Sequence, residues 1–329
     1  MPNILSVSLR PRTLSGLFGQ TALVTSIRQH VATRAPQAWL FSGPSGTGKT
    51  TVAGILSVAY QCTHQKLWGD PCEACWRDRD SFDIHEINAS KVSGVEELEK
   101  VAEMSHFLPM SGSKRVIILD EAQRISNAAQ NLLLTPFEKP PVTTIWIICT
   151  TEPSKLLVTL RGRCMAYSLK PLNFAGREQF LKSAAARAKI TRPLEPLFAE
   201  LNATEITCPR PLLMVLEKYA AGQSSAESVS GSDGTGVNTL RICKAVTGGR
   251  WDILKEALKD AASDDARYVR ASVSGWLRGV LLRESDPKAQ ERAAMSLGEL
   301  MAPSPIEDNN LLLWLWPALY KITRRYQRQ

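Results

Sequence analysis

The chain has 329 residues, a formal net charge of +8 and 44% hydrophobic residues. That length exceeds one ordinary core and predicts two or three domains, while the composition is that of a soluble globular protein. No apolar run is long enough to span a bilayer, and the N-terminus lacks the layout of a signal peptide, so a cytoplasmic location is expected. Seven cysteines without an export signal argue against a disulfide framework. The modest positive excess permits nucleic-acid binding without requiring it.

In chain order, a helix is predicted over 21–32, with Leu23, Ile27 and Val31 on one face. A strand through Trp39 to Phe41 follows, then a glycine-rich loop and a helix over 52–60. Residues 62–80 form a Cys-rich insert. Phe82 to Asn88 alternates like a strand, and 92–105 reads as a helix rich in Glu at its start. The runs Arg115–Asp120 and Thr144–Thr150 are short and apolar, as strands of a sheet covered on both faces are. A helix begins near Ala128 and is expected to kink or end early at Pro136. A fifth strand is expected near 164–169.

Strands and helices thus alternate to about residue 170, which predicts an α/β domain with a parallel sheet over 1–170. Helices over 174–190, 194–202 and 209–221 form a small helical lid domain, 171–221. Residues 222–238 read as a flexible Gly/Ser linker. An all-α C-terminal domain, 239–329, follows, with helices near 239–246, 250–261, 265–283, 287–301 and 309–325.

The loop Gly43-Pro44-Ser45-Gly46-Thr47-Gly48-Lys49-Thr50-Thr51 is G-x-x-x-x-G-K-T between a strand and a helix, the context that gives this pattern meaning. Glycines let backbone N–H groups wrap a phosphate, and the helix dipole points at the same anion. Lys49 is suited to the β/γ-phosphates and the Thr50 hydroxyl to Mg²⁺. Asp120-Glu121 ends an apolar strand about seventy residues later, at the edge where parallel sheets hold ligands. Asp120 suits Mg²⁺, and Glu121 suits polarising an attacking water. No Asn-Lys-x-Asp guanine-reading motif is present, so ATP is expected.

These pieces in this order resemble a clamp-loader ATPase of the AAA+ class, of the bacterial DNA polymerase III gamma/tau type, with kinship to the small subunits of replication factor C. Arg10-Pro11-Arg-Thr-Leu-Ser-Gly-Leu-Phe-Gly-Gln20 is similar to the family's adenine-side box, and Cys62, Cys72 and Cys75 to its zinc insert. Glu86 to Ser90 resembles the strand end ahead of a DNA-facing helix, and Leu119-Asp-Glu-Ala-Gln123 the acidic box. Glu138-Lys-Pro-Pro141 is similar to Glu-Glu-Pro-Pro, Cys149 to Pro153 to the first sensor, and Leu160-Arg-Gly-Arg-Cys164 to Ser-Arg-Cys. The likeness is good over about 8–172 and weaker to 221.

The resemblance implies an ATP-hydrolysing subunit of a ring that opens a sliding clamp and loads it on primer–template DNA. Its partners would be the clamp, DNA bound without sequence preference and other loader subunits, with a DNA polymerase left open as a further one. Arg163 would be an arginine finger acting on a neighbour's ATP, and Thr150 the first sensor, with Thr151 as the alternative. Arg210 would be the second sensor, and Arg10 and Pro11 would lie on the adenine side. Ser90, Lys91 and Ser93 would meet DNA phosphates, and the C-terminal helices would form a collar. The family's fourth insert cysteine is missing, so structural zinc on Cys62, Cys72 and Cys75 needs Asp78 or His64 to complete it. Gly162 replaces a serine, and Asn88 stands where Asp is usual, an amide placed to hold Glu121. Two other functions stay open: a nucleotide-binding replisome scaffold with little hydrolysis, and another AAA+ DNA motor, against which the Cys insert and the Gly-Arg-Cys element speak.

Overall fold

A computed structural model describes residues 4–33, 37–77, 82–91, 94–110, 114–201, 204, 206–229, 239–258, 265–283, 286–301 and 311–327. Contacts divide the chain into two compact units: Met1–Gly176 with Cys208–Arg210, and Arg177–Thr207 with Pro211–Gln329.

The first unit is built on a five-stranded sheet of β1 (Ala38–Ser42), β2 (Ile84–Asn88), β3 (Arg115–Asp120), β4 (Thr144–Thr150) and β5 (Met165–Ser168). The order is β2-β3-β4-β1-β5 and every pair is parallel. The central strands are buried along almost their whole length, while β2 and β5 at the edges alternate in exposure. This explains why β1, β3 and β4 read as continuous apolar runs.

Successive residues of each strand feed opposite faces. Trp39, Phe41, Val116, Ile118, Ile145 and Ile147 join one core, with residues of α2 (Thr21–Thr33) and α3 (Lys49–Gln61). Leu40, Ile117, Leu119, Trp146 and Ile148 join the other. There they meet Leu98 of α5 (Val95–Met104) and Leu133 and Phe137 of α6 (Asn127–Glu138). Each such side chain contributes about 1.5–3 kcal/mol on burial.

Five features of the first unit depart from or add to the sequence reading. A short helix α1 (Leu5–Ser8) precedes the N-terminal box. The Cys-rich insert contains a helix, α4 (Glu73–Arg77), whose Trp76 is buried in the first core. β2 starts at Ile84, leaving Phe82 exposed outside the ladder. Helix α6 does not end early at Pro136 but continues to Glu138. Pro136 and Phe137 are buried there, so packing holds the turn that lacks an N–H. A four-residue helix α7 (Val158–Arg161) leads into β5.

The second unit is helical. It comprises α8 (Phe174–Arg187, from Arg177 on), α9 (Glu195–Leu201), α10 (Pro209–Ala220, from Pro211 on) and α11 (Ser225–Val229). These are followed by α12 (Thr239–Thr247), α13 (Trp251–Leu258), α14 (Asp265–Arg283), α15 (Pro287–Met301) and α16 (Leu311–Gln327). The last five share a core that includes Ile242, Leu254, Val273, Leu300, Leu319 and Ile322. Arg177 is fully buried and donates from Nη1 to the carbonyl of Leu201, 2.9 Å away, satisfying the end of α9. Helix α11 corrects the first part of the expected linker: Ser225–Val229 is helical with Ser228 and Val229 buried, and 230–238 lie outside the described residues. No described helix is long and apolar enough to cross a membrane.

Candidate functional site

The phosphate loop takes its shape from three glycines with positive φ: Gly43 at 140°, Gly46 at 76° and Gly48 at 105°. These are backbone conformations that side chains disfavour. A Cβ on Gly43 would also lie 2.4 Å from the carbonyl oxygen of Leu169. Thr47 is buried, and its hydroxyl donates to the Pro44 carbonyl at 2.8 Å, while Pro44 and Ser45 are exposed at the tip. Helix α3 starts directly after Gly48. Its first residue, Lys49, is buried and donates from Nζ to the carbonyls of Gly43 (2.8 Å) and Pro44 (3.0 Å). Burial lowers the pKa of the Lys49 ammonium, and neighbouring Glu121 and Asp120 oppose that shift. The loop thus presents backbone N–H groups, a helix start and one cation, which suits a polyphosphate.

The carboxyl edge of the sheet brings the acids to this loop. The Thr50 hydroxyl donates to Asp120 Oδ2 at 2.8 Å. Two oxygen donors side by side suit Mg²⁺ bound partly through water. The Glu121 N–H donates to Asp120 Oδ1 at 2.9 Å. Glu121 itself has φ 55° and ψ 37°, a left-handed backbone rare for residues other than glycine and frequent at functional sites. Its carboxylate accepts a hydrogen bond from Gln123 Nε2.

Thr150, at the end of β4, is fully buried, and its hydroxyl donates to Gln123 Oε1 at 2.9 Å. The Thr151 N–H donates to the same oxygen at 3.3 Å. Gln123 therefore stands between Glu121 and both sensor candidates. Its role was not assigned from the sequence, although an amide two positions after the acid was the available signal. Asn88 was expected to hold Glu121. Its side-chain oxygen instead accepts the Ser90 N–H at 2.8 Å, and Gln123 occupies that role.

Three arginines reach different surroundings. Arg10 donates from Nε to the Thr51 hydroxyl at 3.0 Å, so the N-terminal box touches α3, with Pro11 half-buried beside it. The Arg210 N–H donates to the Gly46 carbonyl at 3.3 Å, and the Arg210 side chain is exposed. Burial raises the pKa of the neighbouring Cys208 thiol, and the Lys49 ammonium opposes that shift. Arg163 Nη1 donates to the Thr159 carbonyl at 2.6 Å, and Nη2 pairs with Glu138. Neither partner belongs to the phosphate-loop constellation.

Ser90 and Lys91 are exposed at the end of β2, and Ser93 lies outside the described residues. The start of α5 carries Glu96 and Glu97, and Glu97 accepts the Gly94 N–H at 3.2 Å. That N–H is already engaged, as are those of Ala89, Ser90 and Lys91, so the exposed Lys91 side chain is the charged group this strand end presents.

The Cys-rich insert brings Cys62, His64, Cys72 and Cys75 together, with one donor atom of each within 4.8 Å of all the others. Cys62 ends α3, and Cys75 sits on α4 with its Sγ 3.9 Å from His64 Nδ1. Three thiols and an imidazole in one cluster fit tetrahedral zinc. Of the two fourth ligands considered, His64 is in the cluster, and Asp78 lies outside the described residues.

The insert is tied to the N-terminal box. The Leu14 N–H donates to the Gly69 carbonyl at 2.9 Å, and the Ser15 N–H donates to Asp70 at 3.0 Å. Arg12 pairs with Glu73 at 2.8 Å, and Arg28 pairs with Asp70 at 3.0 Å.

Residues 19–173 match the family described as DNA polymerase III, delta subunit. The chain is 32% identical over 177 residues to DNA polymerase III subunit gamma of Buchnera aphidicola, covering 52% of this chain and 48% of that protein. It is 33% identical over 167 residues to subunit tau of Bacillus subtilis, covering 49% of this chain and 30% of that one. Over 308 residues it is 28% identical to subunit tau of Escherichia coli, covering 89% of this chain and 48% of that one. The chain thus spans about half or less of the length of these curated relatives. Residues 19–173, just under half of the chain, are thus similar to DNA polymerase III subunits, and the parallel sheet and phosphate-loop geometry within that span suit a nucleotide-binding domain.

Proposed function

We propose that this chain is an ATP-hydrolysing subunit of a sliding-clamp loader, acting on primer–template DNA with other loader subunits. The observation that carries the reading is the single constellation at the carboxyl edge of the sheet: Lys49 on its loop, Thr50 bonded to Asp120, and Glu121 linked through Gln123 to Thr150. In this reading Lys49 and the loop N–H groups bind the phosphates. Thr50 and Asp120 would hold Mg²⁺, which supplies charge neutralisation to the phosphoryl oxygens. Glu121 orients and polarises the attacking water, and Thr150 senses the γ-phosphate side. Arg210, at the phosphate loop, reports the nucleotide to the helices that follow it.

Arg163 acts in trans, leaving Glu138 to offer its guanidinium to a neighbouring subunit's nucleotide. Ser90 and Lys91 contact the DNA backbone, so affinity falls steeply with salt. The Cys62, His64, Cys72 and Cys75 cluster holds a structural zinc ion. For a protein partner such as the clamp, the surface around the amino ends of β2, β3 and β4 offers exposed Phe82, Phe107, Leu108, Met110 and Val142.

The test is ATPase rate for the wild type and Arg163→Ala, with and without primed DNA and a clamp. Stimulation of the wild type by DNA plus clamp is expected, lost in Arg163→Ala while ATP binding persists. A wild type that binds ATP but hydrolyses it under no condition would replace this reading with a nucleotide-binding scaffold.

A further inference from the structure

One amide lies between the group assigned to the attacking water, Glu121, and the group assigned to the γ-phosphate side, Thr150. Gln123 Nε2 donates to Glu121 Oε2, and Gln123 Oε1 accepts the Thr150 hydroxyl at 2.9 Å and the Thr151 N–H at 3.3 Å. Two donors converging on one end fix the amide's orientation, so its NH₂ must face Glu121. The Thr150 oxygen also accepts the Glu152 N–H at 3.1 Å. Its one proton is therefore committed to Gln123.

The backbone of Glu121 is fixed independently of this amide. Its N–H goes to Asp120 and its carbonyl accepts the Arg124 N–H at 2.9 Å, in the left-handed conformation described above. What remains free is the carboxylate, and Gln123 holds it.

We propose that Gln123 is a positioning residue for hydrolysis: its amide fixes the Glu121 carboxylate and ties it to the Thr150 hydroxyl at the end of β4. The inference rests on the ATPase reading above. Thr150 cannot give its single proton to Gln123 and to a phosphate oxygen at once. Engagement of phosphate by Thr150 leaves Gln123 anchored through the Thr151 N–H alone and loosens its hold on Glu121. The carboxylate and the strand-end hydroxyl thereby change partners together.

The experiment compares the full-length wild type, Gln123→Ala, Gln123→Glu, Glu121→Ala and the Glu121→Ala/Gln123→Ala double variant. The readouts are kcat and the equilibrium Kd for ATP. Gln123→Ala is expected to lower kcat at least about tenfold, within the range of an acid–base contribution, with Kd within about twofold. Gln123→Glu keeps the acceptor for Thr150 and Thr151 but loses the donor and sets a second carboxylate against Glu121, so it falls at least as far. The double variant should match Glu121→Ala alone, because both changes remove one function.

Gln123→Glu at the wild-type kcat would mean the side chain only braces the loop, and would overturn the proposal. So would a further loss on adding Gln123→Ala to Glu121→Ala. A wild type without hydrolysis overturns the ATPase reading and this inference together. Hydrolysis by the wild type and equally by both Gln123 variants overturns this inference alone.

Discussion

Removal of His64 is the sharpest probe of the Cys-rich insert. The four donors lie within 4.8 Å of one another. Zinc with bonds of about 2.0–2.3 Å places tetrahedral ligand atoms roughly 3.4–3.8 Å apart, so closing the cluster takes movements of about 1 Å. A structural zinc site is worth about 10–16 kcal/mol, or roughly 3 kcal/mol per ligand if shared equally by four. His64→Ala should therefore weaken zinc binding by about a hundredfold, while Asp78→Ala should leave it unchanged. The assay is metal content of protein purified without added zinc, followed by competition against a chromophoric chelator. Zinc lost in Asp78→Ala but retained in His64→Ala would refute the assignment of His64. Wild-type protein without stoichiometric zinc would refute the site.

Three further outcomes are expected. Gly43→Ala combines φ 140° with a Cβ 2.4 Å from the Leu169 carbonyl, so it should abolish detectable ATP binding and cost at least about 2 kcal/mol of stability in urea unfolding; near-wild-type binding would contradict the loop geometry. Asp83→Ala leaves the guanidinium of buried Arg115 without its acidic neighbour at 3.8 Å and frees the Met110 N–H bonded at 2.6 Å. A loss of about 3–5 kcal/mol is expected on breaking such a buried pair, and a loss below about 1 kcal/mol in the same unfolding assay would show the pair to be dispensable. Phe107→Ala with Leu108→Ala changes exposed side chains, so stability should shift by less than about 1 kcal/mol. Clamp binding, followed by sedimentation or fluorescence anisotropy, should weaken at least tenfold; unchanged affinity would place the clamp contact elsewhere.

What was legible in the sequence was what depends on neighbours along the chain. The phosphate loop announces itself because glycines, lysine and threonine must lie at fixed offsets. The central strands do so because burial on both faces leaves no polar alternation. The helices from α12 onward follow a 3.6-residue pattern, and α14 and α15 match their expected spans. What was not legible depends on contacts across the fold. His64 and Asp78 were equal candidates from spacing, and only the packing of α3 against α4 brings His64 to three sulfurs. The partners of Gln123 sit on β4, 27 and 28 positions away, beyond any local pattern. Asn88 was misread because an amide at a strand end serves equally to close its own turn. Helix α11 was missed because a Ser-rich composition reads as linker even where two of its residues are buried. Pro136 does not end α6, which runs on to Glu138 with Pro136 and Phe137 buried.

Among its contacts, the N-terminal box reaches two sites that share no residue. At one end Arg10 reaches Thr51, on the helix that begins at the phosphates. A few positions later Leu14 and Ser15 grip Gly69 and Asp70, inside the loop that gathers the cysteines. A strap fixed at both ends transmits whatever loosens either one. With zinc bound as proposed, its removal should thus raise the Kd for ATP, and, because such coupling is reciprocal, saturating nucleotide should tighten zinc binding by the same free energy.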